Sequence, residues 1–169
     1  MGLDVTIRPA EDDDLPKIAT IYNHEVAHSI ATFDTDPPPN GHWQDKQTSS
    51  RQGCHFLVAV DDDCDVVGFA YSWPYRPRPA YARTRETSIY LDRSVQRQGV
   101  GRRLYPALLD TMARSGVHTA VAGVAVPNPG SVRLHLRVGF EHVGTMREVG
   151  YKFDRWIDIE WYQLLLSPG

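Results

Sequence analysis

Short runs of hydrophobic residues, each bounded by polar or turn-forming residues, predict the strands of a sheet. The apolar runs 56–60 and 66–71 flank the acidic turn 61–65, which is typical of a buried hairpin. The run 119–126 is rich in β-branched residues and predicts another strand. The remaining predicted strands lie at residues 5–9, 86–91, 140–146 and 155–165.

Helices are predicted between these strands. The first begins after Asp12–Asp14, whose side chains suit an N-cap, and it places its apolar residues on one face: Leu15, Ile18, Ile21, Tyr22 and Val26. A second begins near Arg102 and ends near Gly116, and Pro106 inside it predicts a late start or a kink. A short third helix runs from Asn128 to Gly139. Because strands alternate with helices but also form hairpins, we predict one α/β domain over residues 1–169, with a mixed sheet covered by helices on both faces.

Composition narrows the class of protein. A formal net charge of −3 argues against a general nucleic-acid binder, and no apolar run approaches a membrane span. Cys54 and Cys64 are too few for a disulfide framework, so we expect reduced thiols and a cytoplasmic protein. Eight arginines lie between Arg76 and Arg103, and such a segment either forms a solvated surface or attracts an anionic ligand.

The turn Gln96–Arg102 is the clearest chemical signal. It follows the strand at 86–91 and opens a helix, so Gly99 and Gly101 let backbone amides approach a phosphate group. Leu104 replaces the third glycine of a dinucleotide fingerprint, and the chain has no Gly-Lys-Ser/Thr triplet of an ATP loop. A plain helix-entry turn is the alternative for these glycines.

A second motif, Asn128-x-x-Ser131-x-x-Leu134-His135-x-x-x-Gly139-Phe140, stands about thirty residues later. Together the two motifs resemble the GCN5-related N-acetyltransferases (GNAT), and more narrowly their phosphinothricin and methionine sulfoximine acetyltransferase branch. Other segments share the resemblance: Tyr22-Asn23, Phe33, residues 78–81, Glu86, residues 89–91, residues 150–153 and Arg155-Trp156, whereas Asp154 departs from it. The resemblance implies a mostly antiparallel sheet with a splayed gap, and acetyl-CoA as the co-substrate, without a metal.

The same resemblance implies the residues that bind acetyl-CoA. The backbone of Ile89, Tyr90 and Leu91 would pair with the pantetheine arm. The turn would hold the pyrophosphate through Arg97, Gln98, Gly99, Val100, Gly101 and Arg102. Asn128 and Ser131 would contact coenzyme A from the opposite side.

Two residues are candidates for the chemistry. A protonated amine must lose a proton before it attacks a thioester, and the Glu86 carboxylate can accept that proton, directly or through a water. His135 stands where the family places a group near the thioester sulfur, and histidine can donate a proton to a departing thiolate. The alternatives are an arginine-paired structural Glu86 and a half-buried His135 bonded to a backbone carbonyl.

The resemblance also implies the second substrate, which is a small amine acceptor, either an amino acid or an amino-acid analogue. Its predicted contacts are Phe33, Arg76, Arg78, Tyr81 and Thr87, because arginine forks suit carboxylate or phosphinate. The alternative is that this Arg-rich loop serves only solubility. The branch also implies a homodimer, to which Trp156, Trp161 and Tyr162 would lend apolar surface unless they fill the monomer core.

Two other functions stay open at this stage. His24-Glu25-x-x-His28 matches the helical signature of zinc proteases. No glutamate lies between Glu25 and Glu86 as a nearby third ligand, so a zinc hydrolase is the alternative we expect to fail. The other alternative is a protein of the same fold that binds acyl-CoA without catalysis.

Overall fold

Seven strands form one sheet in the computed structural model, which describes residues 3–166. The strands are β1 (Thr6–Pro9), β2 (Phe56–Val60), β3 (Val66–Pro74), β4 (Thr84–Leu91), β5 (Thr119–Val126), β6 (Glu141–Lys152) and β7 (Arg155–Leu165). The helices are α1 (Leu15–His28), α2 (His42–Gln47), α3 (Val100–Arg114) and α4 (Pro129–Arg137), with 3₁₀ turns at Asp12–Asp14, Pro79–Tyr81 and Arg93–Val95. The ends of the predicted domain, residues 1–2 and 167–169, lie outside the described residues.

The sheet is mixed and mostly antiparallel, as predicted. Its strand order is β1-β2-β3-β4-β5-β7-β6, and only β4 and β5 run parallel. Those two strands pair over three residues, Thr84–Glu86 against Thr119–Val121. Beyond Glu86, β4 stays paired with β3 while β5 stays paired with β7. The facing edges of β4 and β5 therefore diverge, which confirms the predicted gap.

Two apolar layers cover the faces of the sheet, because the side chains of β2 alternate between them. Leu57 and Ala59 face the layer built by α3, whose buried residues include Leu104 and Leu108. Phe56, Val58 and Val60 face the layer built by α1 and α2. In that second layer Ile18, Ile21, Tyr22 and Val26 of α1 are buried, as their spacing predicts.

The start of α3 differs from the prediction. The helix begins at Val100, immediately after the glycine turn, and continues through Pro106. Proline inside a helix costs about 3 kcal/mol. Val100, Leu104, Leu108 and Met112 are fully buried on one face, and each buried side chain of this size contributes about 1.5–3 kcal/mol. Packing therefore outweighs the lost backbone hydrogen bond.

Two smaller differences have local causes. Asp14 occupies the cap position of α1, but no side-chain cap bond is recorded there. Its carboxylate instead accepts hydrogen bonds from the Arg8 guanidinium at 2.7 and 2.8 Å. Strand β6 continues past Met146 to Lys152 because a bulge between Met146 and Gly150 absorbs the break in the pattern.

Candidate active site

The gap between β4 and β5 opens into a cleft of about 890 Å³. Its floor is formed by residues 87–91 of β4 and residues 123–125 of β5. The glycine turn and the start of α3 bound one end of the cleft, and α4 forms one of its walls. The predicted cofactor residues that line it are Ile89, Tyr90, Leu91, Arg97, Gly99, Val100, Gly101, Arg102, Asn128 and Ser131. The structure therefore brings nearly all of that set together.

The glycine turn has the geometry that close approach of a phosphate requires. Gly99 caps α3 with a φ of 88°, a left-handed conformation that favours glycine. A Cβ on Gly101 would stand 3.1 Å from Leu134 and 3.4 Å from Leu91, so glycine here lets α3 pack tightly against α4 and β4. The first amides of a helix lack intrahelical partners and carry partial positive charge. An anion fits at this helix end.

Gln98 differs from the other residues that were predicted to bind the cofactor. It is exposed, is absent from the cleft lining, and its side-chain amide donates to the Ser94 carbonyl at 2.9 Å. Its side chain thus closes the preceding 3₁₀ turn, while its backbone belongs to the same loop. The prediction for Gln98 rests on that backbone.

The start of α4 forms the opposite wall. The Asn128 side-chain oxygen accepts from the Ser131 amide at 3.1 Å, which is an N-cap bond. This bond fixes the first turn of α4 beside the cleft. Asn128 and Ser131 therefore shape the wall even where they make no direct contact with a ligand.

Glu86 lies in β4 at the last paired position before the gap. Burial raises the pKa of its carboxyl, and the positive charges of Arg76 and Lys46 act in the opposite direction. Within residues 3–166, none of the recorded ion pairs involves Glu86, so the arginine-paired alternative does not appear. A half-buried carboxylate without a fixed partner and with a raised pKa suits proton acceptance near neutral pH. Lys46 was not identified from the sequence, because it belongs to a helix far along the chain.

His135 is buried and lines the cleft. Its Nδ1 lies 2.8 Å from the Ser131 carbonyl oxygen, which can only accept, so Nδ1 carries the proton. Burial lowers the pKa of the ring, although the bond to Ser131 partly counteracts it. The neutral ring then has an unprotonated Nε2. This geometry matches the structural alternative, in which the ring is bonded to a backbone carbonyl.

Tyr105 of α3 was not identified from the sequence, and it holds the floor of the cleft. It is fully buried, its hydroxyl lies 2.7 Å from the Thr87 hydroxyl, and its ring packs edge-on against His135 at 5.1 Å between centroids. Thr87 is itself buried and also lies 3.3 Å from the Val121 carbonyl. The Thr87 hydroxyl is thus engaged with the protein core, although the residue borders the cleft.

The remaining predicted acceptor residues lie in two loops, Phe33 in the loop after α1 and Arg76, Arg78 and Tyr81 between β3 and β4. Phe33 packs on the cluster of Ile30, Ala125 and Ile157. Arg76 stacks 5.1 Å from the Tyr75 ring and acts electrostatically on Glu86. Tyr81 is exposed and meets Tyr75 edge-on, and Arg78 is an exposed cap of the 3₁₀ turn at Pro79–Tyr81. Arg78 and Tyr81 therefore lie on the surface loop, with no recorded contact to Glu86.

The His-Glu-x-x-His segment has a structural explanation. The Glu25 carboxylate is buried, accepts from the Ser29 hydroxyl and lies 3.6 Å from Arg93 Nε. His24 and His28 are exposed neighbours on α1. Across residues 3–166, no group of three or more His, Cys, Asp or Glu side chains is arranged to hold a metal ion. The zinc-hydrolase alternative is therefore not supported.

A membrane-spanning helix was not expected. None of the helices in the described part of the chain is both long and apolar enough to cross a bilayer.

Known proteins of similar sequence and fold are acetyltransferases. Residues 7–161 match the acetyltransferase (GNAT) domain family. The chain is 42% identical to a phosphinothricin N-acetyltransferase of Streptomyces coelicolor, over 95% of each chain. It is 37% identical to an L-methionine sulfoximine/L-methionine sulfone acetyltransferase of Pseudomonas aeruginosa, over 98% of this chain and 97% of that protein. A GNAT superfamily phosphinothricin acetyltransferase from Sinorhizobium meliloti, solved in complex with AcCoA, matches with a TM-score of 0.91 at 32% identity, covering 98% of this chain and 90% of that one.

Proposed function

This chain belongs to the GNAT family of acetyltransferases, and from that membership we propose that it acetylates the amino group of a small amino acid or amino-acid analogue. Acetyl-CoA is the acetyl donor, and phosphinothricin, methionine sulfoximine and methionine sulfone represent the acceptor class. The names of the Streptomyces coelicolor and Pseudomonas aeruginosa relatives support that class. Arg76, beside Glu86, supports an acceptor with an anionic group.

The observation that carries the proposal is the position of Glu86 beside the cleft. The cleft has a helix end for phosphates at one side and an open strand edge along its floor. Glu86 is the last paired residue of β4, immediately before that open edge. A donor lying along Ile89–Leu91 would bring its thioester toward the carboxylate. The residues present therefore fit acetyl-CoA.

The reaction releases one proton overall, because the ammonium nitrogen loses two protons and the departing thiolate takes up one. Acetyl-CoA supplies a thioester, so the amine nitrogen forms a bond to the acetyl carbon as the carbon–sulfur bond breaks. We propose that Glu86 removes one proton from the ammonium form of the acceptor, directly or through a water, and exposes the lone pair for attack. After attack the nitrogen loses its second proton, the departing thiolate takes up one proton, and one proton is released to solvent. Both substrates are bound together, since a covalent enzyme intermediate is not needed.

His135 takes a different role in this proposal from the one expected. Its Nδ1 proton is committed to the Ser131 carbonyl, and burial favours the neutral ring. We therefore assign it to fixing α4 against Tyr105 and the cleft floor. The thiolate proton then comes from solvent or from the proton that Glu86 has accepted.

Glutamine at position 86 tests the function. We expect Glu86→Gln to lower turnover about 10²-fold or more near pH 7 and to leave acetyl-CoA affinity nearly unchanged. The deficit should shrink at high pH, where the acceptor amine is already unprotonated. A pH–rate series on both proteins, with phosphinothricin and methionine sulfone as acceptors, measures this. Equal rates for the two proteins across the series would remove Glu86 from the mechanism.

The same experiment separates catalysis from binding alone. A protein that only senses acyl-CoA would gain thermal stability with acetyl-CoA, because the ligand binds the folded state. It would show no turnover of any amine in a panel. Turnover of one amino acid or amino-acid analogue in the panel decides for the enzyme.

We further propose one catalytic domain over residues 1–169, a cytoplasmic location and assembly into a homodimer. Exposed apolar side chains lie on the terminal hairpin of β6 and β7, which ends the sheet: Val143, Met146, Val149, Tyr151, Phe153 and Trp156. Trp156 is 61% exposed, whereas Tyr162 is 2% exposed and fills the monomer core instead. Light scattering should give twice the 19.1 kDa chain mass, and the single-chain mass at micromolar concentration would contradict the dimer.

A further inference from the structure

Lys46 of α2 lies between two aromatic rings beside the catalytic carboxylate. Its ammonium nitrogen is 4.4 Å from the centroid of Tyr71 and 4.3 Å from the centroid of Trp73. The charged form of lysine is attracted to the faces of such rings. Burial lowers the pKa of Lys46, while the negative charges of Asp34 and Glu86 act in the opposite direction.

The strand register relates this ammonium to Glu86. Trp73 of β3 is the direct partner of Glu86 in β4, and Tyr71 is the partner of Ser88. Side chains of directly opposed residues in an antiparallel pair lie on the same face of the sheet, with Cβ atoms about 5 Å apart. Lys46 therefore sits over the same face as Glu86, next to the Trp73 ring. Among the ion pairs recorded for residues 3–166, however, none joins the two groups.

We propose that Lys46 is a positioning residue whose ammonium, held by Tyr71 and Trp73, keeps the Glu86 carboxylate ionised without binding it. This inference rests on the proposed function, in which Glu86 must be charged to receive a proton. A direct ion pair would occupy the carboxylate oxygens and compete with the amine. A charge held on aromatic rings supplies the attraction and leaves those oxygens free.

Other charged groups also affect the pKa of Glu86, so the test must distinguish their effects from that of Lys46. Arg76, from the loop after β3, has the larger effect on the pKa of Glu86. Tyr71 is neutral at physiological pH, because burial raises its pKa to about 12. Asp34, from the loop after α1, acts on Lys46 and Tyr71. Arg51, from the loop after α2, lies 5.5 Å from the Trp73 centroid and has no recorded effect on Glu86.

The test measures the titration of Glu86 directly. The chain has six glutamates, so ¹³C-carboxyl spectra of labelled protein are tractable, and Glu86→Gln assigns the resonance. Lys46→Met removes the charge but keeps an unbranched stem that packs well on aromatic rings. We expect it to raise the titration midpoint of Glu86 by about one pH unit, the size typical of losing a nearby opposite charge.

Two matched variants define the result. Lys46→Arg keeps a cation on the rings and should leave the midpoint of Glu86 near its original value. Arg51→Met removes a cation from the same Trp73 ring and should not move it. An unchanged midpoint in Lys46→Met, or an equal shift in Arg51→Met, would overturn the proposal.

The activity profile adds a second readout. In Lys46→Met, the acidic limb of the plot of kcat/KM against pH should shift to higher pH by the same amount as the Glu86 midpoint. That limb reports the pKa of the base in the free enzyme. The failure of the two proposals is distinguishable. A wild-type protein without turnover refutes the acetyltransferase proposal, whereas the spectroscopic midpoint decides the role of Lys46 without turnover.

Discussion

Replacing Gly150 with alanine tests the contact between β6 and the predicted acceptor residue Phe33. A Cβ at Gly150 would lie 2.1, 2.4 and 2.7 Å from three atoms of the Phe33 ring. Carbon atoms in favourable contact are about 3.5–4.0 Å apart, so the ring must retreat by more than about 1 Å. Phe33 packs on Ile30, Ala125 and Ile157, which oppose that movement. We expect Gly150→Ala to lower the free energy of unfolding by about 1–3 kcal/mol, the usual range for overpacking.

A double-mutant cycle isolates this contact from other effects. Phe33→Ala removes the obstructing ring, so alanine at position 150 then meets open space. In that background we expect Gly150→Ala to be neutral or to stabilise by roughly 0.5–1 kcal/mol, because glycine within a strand has an entropic cost. Chemical denaturation of the four proteins gives the coupling energy. The same destabilisation in both backgrounds would show that Phe33 does not lie on Gly150.

Kinetics extend the cycle to function. If Phe33 packs on the acceptor, Gly150→Ala and Phe33→Ala should each raise the KM for the acceptor while the Kd for acetyl-CoA stays unchanged. Equal loss of affinity for both substrates would indicate a general structural defect instead.

Three further predictions concern the cleft and its surroundings. Asparagine can replace the Nδ1–H of His135, so His135→Asn should keep turnover within a few fold in a steady-state assay, and a loss of about 10²-fold or more would restore its role as an acid. Gly99→Ala forces a left-handed φ on alanine and should lower the free energy of unfolding by about 1–2 kcal/mol, whereas Gly130→Ala, with no atom nearer than 3.8 Å, should not. Burial lowers the pKa of His42, His55 and His135 in the folded chain below the ordinary value of 6.5. The stability that comes from keeping these rings neutral is therefore present above pH 6.5 and is lost as the pH falls below that value. Melting temperatures measured between pH 7 and pH 5 should fall, and a constant value would contradict these shifts.

The strands could be predicted where one pattern governs a whole element. The β-branched run 119–126 became β5 with the predicted bounds, and the hairpin of β2 and β3 formed around the acidic turn. Predictions failed where local and tertiary preferences compete. The run after Met146 lacks a strand pattern, yet pairing with β7 extends β6 beyond a bulge in which Glu148 adopts a φ of 52°.

The residues of the candidate site also fall into two groups, those predictable from the local sequence and those that depend on tertiary contacts. Turn and cap residues act on their immediate neighbours in the chain, so the turn at Gly99 and Gly101 and the helix start at Asn128 could be predicted from the local sequence. Tyr105 and Lys46 act through contacts between distant parts of the chain. Tyr105 reaches Thr87, and Lys46 reaches Trp73. Neither contact leaves a pattern in the linear sequence.

His135 illustrates a further limit, because the sequence leaves its chemistry open between a proton donor and a structural histidine. The sequence supplies an imidazole at the right place on α4, and free histidine titrates near neutral pH. The fold then decides which nitrogen holds the proton, since the carbonyl of Ser131, one turn earlier, requires a donor at Nδ1. Burial among Tyr105, Phe140 and Tyr162 makes a second proton on the ring unfavourable. In the proposed mechanism, proton transfer therefore depends on Glu86 and its surrounding charges rather than on the histidine.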